Sequence, residues 1–430
     1  AAQGSIPTTT AMYSAGTLYK TQTTDEQNQS VIEYKDMEGK VVLKKVQIAS
    51  APGTAHIGWL CTYYIYDDLD NLRFVIQPKA IDLVMLNGTW NLSTIPHLTD
   101  ELCFRYEYDE RKRMIIKKVP EAGEVWMVYN GRDELVMTQD ANLRGQGQWL
   151  YTVYDNLDRV LATGIIWDSH DRAYHAGLAA TNLTYPNAIY NYAILTNPLY
   201  DDYSWIPTLP DPFTSSRNTS YDGNFLTPSN VFPFPQVLTQ SNCVRGQVTG
   251  MRIATTAGGP MLYLINYYDE NGRLIQTQQT NITGGTDITT TQYDFSGKPL
   301  RTYLKQEKAG TNAQTHFLLT KMNYDGAGKL LTLYKNIDNA SSDQLISTNA
   351  YNELGQLQNK QLGNNLDNLA YEYNIRGWLS GINKDYVASG GGNYFGMVLG
   401  YDKSTAGNTD TQVPQFNGNI AAMVWKTAGD

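Results

Sequence analysis

"YDENGRLIQTQQTNITGGTDITTTQYDFSGKPLRTYLK" runs from Tyr268 to Lys305 and states one phrase twice. Tyr268-Asp269-Glu270-Asn271-Gly272-Arg273-Leu274 is answered by Tyr293-Asp294-Phe295-Ser296-Gly297-Lys298-Pro299. A catalytic motif is usually written once, whereas a structural unit recurs. The residues between the two copies are rich in Ile and Thr, which favour strands.

Outward from this stretch the phrase recurs along the whole chain, about ten times in all. Upstream are Tyr66-Asp67 with Asp70-Asn71-Leu72, Tyr108-Asp109 with Lys112-Arg113-Met114, Tyr129-Asn130 with Asp133-Glu134-Leu135, and Tyr154-Asp155 with Asp158-Arg159-Val160. A first copy, Tyr34-Lys35-Asp36-Met37-Glu38-Gly39-Lys40, is one residue longer. Downstream are Tyr324-Asp325 with Gly328-Lys329-Leu330, Tyr351-Asn352 with Gly355-Gln356-Leu357, and Tyr373-Asn374 with Gly377-Trp378-Leu379. A last copy begins at Tyr401-Asp402. Spacings of mostly about 20–32 residues suit two strands and a loop of variable length.

Each position has a local physical role. An Asp or Asn after Tyr bonds backbone amides two residues on and starts a turn. Three residues later the backbone needs positive φ, as in a type I turn closed by a glycine bulge; Gly272, Gly297, Gly328, Gly355 and Gly377 supply it. Where Gly is replaced, three of four substitutes are Asp (Asp70, Asp133, Asp158), which tolerates the left-handed region, and the fourth is Lys112. The next residue is usually polar, often Arg or Lys, and an apolar residue then opens the return strand. Tyr closes the incoming strand, where its ring can stack on that of the neighbouring unit. The expected fold is all-β: antiparallel hairpins in one long curved or spiralling sheet.

Bulk composition agrees. Tyrosine stands at 31 of 430 residues, beside abundant Thr, Asn and Gly. This is a sheet composition, and helical periodicity is scarce. A formal charge of −9, with bases scattered among acids, argues against nucleic acid. No run of about 18 apolar residues is present, so no membrane-spanning helix is expected. The opening "AAQGSIPTTT" carries neither Met nor an apolar leader and reads as a cut or processed segment. Cys61, Cys103 and Cys243 fit no zinc or disulfide pattern and read as buried free thiols.

The Tyr-Asp series resembles the YD repeat of RHS (rearrangement hot spot) proteins, a family that includes bacterial polymorphic toxins and shell subunits of ABC toxin complexes. "CTYYIYDDLDNLRFVIQPKA" (Cys61–Ala80) is especially close, as is the stretch from Leu102 to Gly164, and the likeness covers nearly the entire chain. The resemblance implies a β-strip that spirals into a hollow shell around a C-terminal toxic domain. It implies secretion or display at a bacterial surface. Its partners would be the rest of the shell and a cargo domain. Neighbouring copies are further candidates, through strand edges. The family's self-cleaving core, marked by a D-P-x-G motif, has no counterpart here. The one Asp-Pro, Asp211-Pro212, lacks the glycine context.

Three blocks are expected: repeats over 1–164, a proline-rich insertion or junction over 165–248, and repeats over 249–430. Prolines at 198, 207, 210, 212, 228, 233 and 235 argue against a continuous central strand in the middle block.

Sites for chemistry are few. Asp168, His170, Asp171 and His175 in "IWDSHDRAYH" are the densest group of potential ligands. Histidines five apart suit neither a helix face nor a strand face, so the segment reads as a solvated loop, with no metal or cofactor expected. Glu101, Glu107, Asp109, Glu110, Glu121 and Glu124 leave a two-carboxylate glycosidase open in principle, but acids recurring at the turn position act first as turn-formers. Nucleophile, phosphate-loop and dinucleotide signatures are missing. Trp90, Trp126, Trp149, Trp205, Trp378 and Trp425 either fill the packed face or stack on sugars. The leading expectation is a non-enzymatic wall segment that encloses or displays another domain. The alternative is a cell-surface adhesion or carbohydrate-binding module.

Overall fold

The computed structural model describes residues 4–9, 12–25, 28–186, 191–209, 213–402 and 414–429. Pro210 and the Asp211-Pro212 pair lie outside the described residues. The chain divides into two units, Ala1–Asn197 with Thr256–Gly258, and Pro198–Thr255 with Gly259–Asp430.

In the first unit the strands are β1 (Tyr19–Thr24), β2 (Ser30–Lys35), β3 (Val41–Gln47), β4 (Trp59–Tyr66), β5 (Leu72–Ile76), β6 (Cys103–Tyr108), β7 (Met114–Lys118), β8 (Val125–Tyr129), β9 (Leu135–Gln139), β10 (Gln148–Tyr154) and β11 (Val160–Trp167). The unit boundary falls inside β12 (Asn191–Tyr200). From β1 to β12 each strand pairs antiparallel with the next in sequence. The all-β expectation holds. Pro198 does sit within a strand, against expectation. The pairing of β12 with β11 runs only from Asn191 to Thr196, so the missing proline N–H breaks none of those ladder bonds.

In the second unit follow β13 (Val248–Ala254), β14 (Met261–Tyr268), β15 (Leu274–Thr280), β16 (Thr286–Tyr293), β17 (Pro299–Lys308), β18 (Gln314–Tyr324), β19 (Leu330–Ile337), β20 (Gln344–Tyr351), β21 (Leu357–Leu362), β22 (Asp367–Tyr373), β23 (Leu379–Ile382), β24 (Phe395–Gly400) and β25 (Ala422–Thr427). They too pair antiparallel with their sequence neighbours throughout.

This connectivity gives each unit two unlike rims. The Tyr-Asp turns all close hairpins on one rim, as between β4 and β5 or β16 and β17. The other rim carries connections of every length, from the tight turn between β15 and β16 to the excursion between β5 and β6. That excursion holds α1 (Pro78–Asn87) and α2 (Leu98–Glu101). Proline at its first turn starts α1, and Gly88 at φ 63° stops it in the left-handed region. Ala80, Ile81 and Val84 of α1 are buried with Cys61, Phe74, Ile76, Leu92, Leu98 and Cys103 in the first core. Later connections hold α3 (Ala141–Gly145), α4 (Arg172–Thr181) and, in the second unit, α5 (Lys384–Ser389).

The segment read as a solvated loop is partly helical. Asp171 caps α4 by accepting the Tyr174 N–H at 2.9 Å. His175 and Ala179 of α4 are buried, His175 at 0% exposure against Trp149. The thiols also divide: Cys61 and Cys103 are buried, whereas Cys243 is exposed. Burial pushes the Cys103 thiol up to about 12, so it packs as an unreactive apolar group.

Candidate functional site

The feature that repeats with full chemical detail is the Tyr-Asp corner. Asp67 Oδ1 accepts the N–H of Leu69 at 3.0 Å and of Asn71 at 2.9 Å. Asp109 does the same for Arg111 and Arg113, Asp155 for Leu157 and Arg159, Asp269 for Asn271 and Arg273, and Asp325 for Ala327 and Lys329. At Asp294 the Lys298 N–H is taken, and the Ser296 hydroxyl also donates. Asparagine caps in the same way at Asn130, Asn352 and Asn374. The backbone N–H three residues on donates to the Asp carbonyl, as Gly272 does to Asp269 and Gly297 to Asp294.

The closing residue lies at positive φ in the described corners, Gly272 at 73°, Gly297 at 89°, Gly328 and Gly355 at 80° and Gly377 at 81°; the turn after Tyr401-Asp402 lies outside the described residues. The substituted corners keep that conformation, with Asp70 at 69°, Lys112 at 61°, Asp133 at 65° and Asp158 at 60°. These side chains carry the strain that Gly avoids.

In several corners a pairing rule links the side chain of the capping residue to that of the fourth residue after it, whereas at Asp294 the Lys298 ammonium turns to the Ser296 hydroxyl. Where the cap is Asp, the partner donates: Arg113 Nε to Asp109 at 2.7 Å, Arg159 Nε to Asp155 at 2.7 Å, and Arg273 Nε to Asp269 at 2.6 Å. Where the cap is Asn, its amide donates instead, to Gln356 Oε1 from Asn352 at 2.9 Å and to Glu134 from Asn130. The Arg159 backbone N–H, its side chain and the Leu157 N–H together hold the Asp155 carboxyl below its ordinary value.

The tyrosine joins one hairpin to the one before it. Tyr66 donates its hydroxyl to the Val41 carbonyl at 3.2 Å, Tyr129 to Met114 at 2.9 Å and Tyr154 to Leu135 at 3.0 Å. In the second unit Tyr268 donates to Val248, Tyr293 to Leu274, Tyr324 to Pro299, Tyr351 to Leu330, Tyr373 to Leu357 and Tyr401 to Leu379. The ring receives the preceding base: Lys40 lies over Tyr66, Arg113 over Tyr129, Arg273 over Tyr293 and Lys329 over Tyr351, at 4.9–5.8 Å. At these corners the ring's partner is thus the base of the preceding unit, where ring-on-ring stacking was expected. Burial pushes the phenols of Tyr66, Tyr154, Tyr268, Tyr293 and Tyr324 up, which keeps them protonated as donors.

Three features of the corners escaped sequence reasoning. A second bulge follows each turn: Tyr268 faces Leu274 but Tyr267 faces Gln276, leaving Ile275 extra. Arg73, Ile115, Val136 and Leu300 occupy the same place in their hairpins. In the longer first copy Lys35, not Tyr34, faces Val41 and takes the tyrosine position. Lastly, Asp25 and Asn281 form the same capped turn on the opposite rim with no tyrosine, with Asn28 and Gly284 at positive φ. An Asn-x-x-Gly spacing alone marks the second of these.

Of the other candidates, Asp168, His170 and His175 come together, with His175 Nε2 4.0 Å from Asp168 Oδ1, and the tryptophans are dispersed. Asp168 Oδ1 accepts the His170 N–H and lies 2.6 Å from His170 Nδ1, while His175 Nδ1 lies 2.6 Å from the Tyr185 hydroxyl inside the core. Trp149 is fully buried beside Trp126, and Trp90 packs edge-on against Tyr63. Trp205 donates to the Asp202 carbonyl, Trp378 contacts Tyr401, and Trp425 is exposed. An open depression of about 490 Å³ between Tyr203, Ile206, Pro207 and Phe213 is lined, among the described residues, by no carboxylate and no base.

No family model matches the chain, and no curated protein matches it. Among solved structures, TcdB2-TccC3 without its hypervariable C-terminal region aligns with a TM-score of 0.54 at 14% identity, over 87% of this chain and 15% of that chain. A Photorhabdus luminescens Tc holotoxin pore aligns at 0.35 and 13% identity, over 88% of this chain and 17% of the other. TcdB2-TccC3 itself aligns at 0.35 and 12% identity, over 93% and 19%. The chain spans 15% of the length of the first of these neighbours, and its likeness to that neighbour is one of fold.

Proposed function

We propose that this chain is a wall segment of an RHS-type shell, working without catalysis to enclose or display a C-terminal effector domain. The observation that carries the reading is the corner. It spends its acids on backbone amides, its bases on those acids and on tyrosine rings, and its tyrosine hydroxyls on the hairpin before. Residues committed in this way build a continuous surface rather than a reaction centre. The fold likeness to TcdB2-TccC3 and the YD-repeat resemblance of the sequence both support a container. Secretion, or display at a bacterial surface, is the setting that goes with this role.

The test is to express the complete reading frame that contains this chain and follow protease digestion of its C-terminal domain. Enclosure predicts that the domain survives in the intact protein far longer than when it is expressed alone. Equal digestion rates would overturn the container reading.

A further inference from the structure

The proline-rich stretch of the second unit lies across the face of β14–β17, and the sheet holds it through side chains that grip its main chain. Gln276 Oε1 accepts the Asn218 N–H at 2.7 Å, and Gln276 Nε2 donates to the Asn218 carbonyl at 2.7 Å. Gln292 repeats this with Leu226, accepting its N–H at 2.9 Å and donating to its carbonyl at 2.8 Å; it also reaches the Gln236 carbonyl at 3.0 Å. Arg301 donates to the Asn224 carbonyl and Tyr267 to the Thr214 carbonyl. At the corner rim, the Gln236 and Ser241 amides donate to the carbonyls of Tyr293 and Tyr268.

A primary amide that bonds both the N–H and the C=O of one residue imitates a paired strand, and it does so whatever side chain that residue carries. Gln276 and Gln292 are each 1% exposed, and Gln276 is braced by Thr290 and Gln278. With the stretch in place both amides are buried with their oxygen and nitrogen partnered by its main chain, so face and extended chain match in polar groups. Its floor is apolar, made by Ile265, Tyr267 and Ile275 with Phe213 of the stretch packed against them. Tyr221 adds a ring stacked on Tyr303 at 5.1 Å. The prolines of the stretch stop it from joining the sheet as a continuous strand: its main chain bonds the sheet's backbone only at the corner rim, around the bridge of Pro235 to Asp294, and side chains hold the rest.

We propose that this face is a docking surface for an extended, proline-interrupted polypeptide recognised through its main chain, and that residues 213–241 are its resident occupant. Two glutamines read the backbone, and the floor between Ile265 and Tyr303 takes aromatic anchors. The proposal does not depend on the container reading.

The test follows hydrogen exchange of the Asn218 and Leu226 amides in the full chain. Gln276→Ala and Gln292→Ala should each speed exchange of the amide they release by about tenfold or more, with amides of β19–β22 unchanged. Equal rates in variant and wild type overturn the proposal. A second measurement needs no core substitution. Protease sites are placed at exposed Ser216 and Asn242, the otherwise wild-type chain is cut, and the excised segment is followed by gel filtration. Retention, and exchange with a fluorescent synthetic peptide of residues 216–242, supports docking; release into solution overturns it. A peptide with alanine at exposed Thr219, Ser220, Thr227 and Asn230 should exchange equally well, and its failure to bind would overturn main-chain recognition.

Discussion

Exchanging the pair Asp269–Arg273 for Asn–Gln probes the corner chemistry most directly. Arg273 Nε meets Asp269 Oδ2 at 2.6 Å, with side chains only 19% and 6% exposed, respectively, so solvent screens the contact weakly. Asp269→Asn keeps Oδ1 for the Asn271 and Arg273 amides but turns an amide donor toward a guanidinium donor. Loss of that ionic hydrogen bond should cost about 1.5–3 kcal/mol. Arg273→Gln alone should cost somewhat more. It also removes the bond to the Asp294 carbonyl, worth about 1 kcal/mol, and the contact with the Tyr293 ring, worth about 0.5–1 kcal/mol. Together the substitutions recreate the Asn352–Gln356 arrangement, so the double variant should be less damaged than the sum of the singles by about 2 kcal/mol. Local opening free energies from exchange of the Asn271 and Arg273 amides measure each corner of the cycle without requiring global two-state unfolding. Additivity within about 0.5 kcal/mol would refute the pairing rule.

Three further outcomes are expected. Gly297→Val should destabilise its hairpin by about 1–2 kcal/mol through positive φ alone, since the space beside Gly297 is open; urea titration with an unchanged slope would register it. Tyr324→Phe, which leaves the Pro299 carbonyl without the phenol, should cost about 0.5–1.5 kcal/mol, seen as faster exchange confined to the β17–β19 hairpins. Burial lowers the pKa of His175 from its ordinary 6.5. The unfolded chain therefore binds the proton more readily. Stability should be full above pH 6.5 and fall as pH drops through and below that value, a slope that His175→Gln flattens in thermal melts.

What could be seen in the sequence was what one residue demands of its immediate neighbours. Asp269 caps amides two and four residues away, and Gly272 supplies a conformation at its own Cα, so both signals are local. The second bulge was not legible. It seats consecutive residues such as Ile275 and Gln276 in buried positions, which breaks the alternation that the strand would otherwise show. Lys35 displaced Tyr34 from its expected place because the one extra residue shifts the facing partner. Helix α4 was not legible because Asp171, its cap, stands among acids and histidines that form a group of potential ligands as readily as a helix start. The grip of Gln276 on Asn218 spans 58 positions, and a glutamine in a strand carries no mark of such a partner.

The inequality of the rims has a practical consequence. Corners of uniform length lock the spacing of successive hairpins at two strand separations, about 9.5 Å. Growth or loss of sequence is thereby steered to the opposite edge, where doubling a connection costs only about 0.6 kcal/mol of closure entropy. Foreign epitopes grafted between β17 and β18 and between β19 and β20 would stand side by side at that fixed pitch, making the molecule a ruler for arranging ligands.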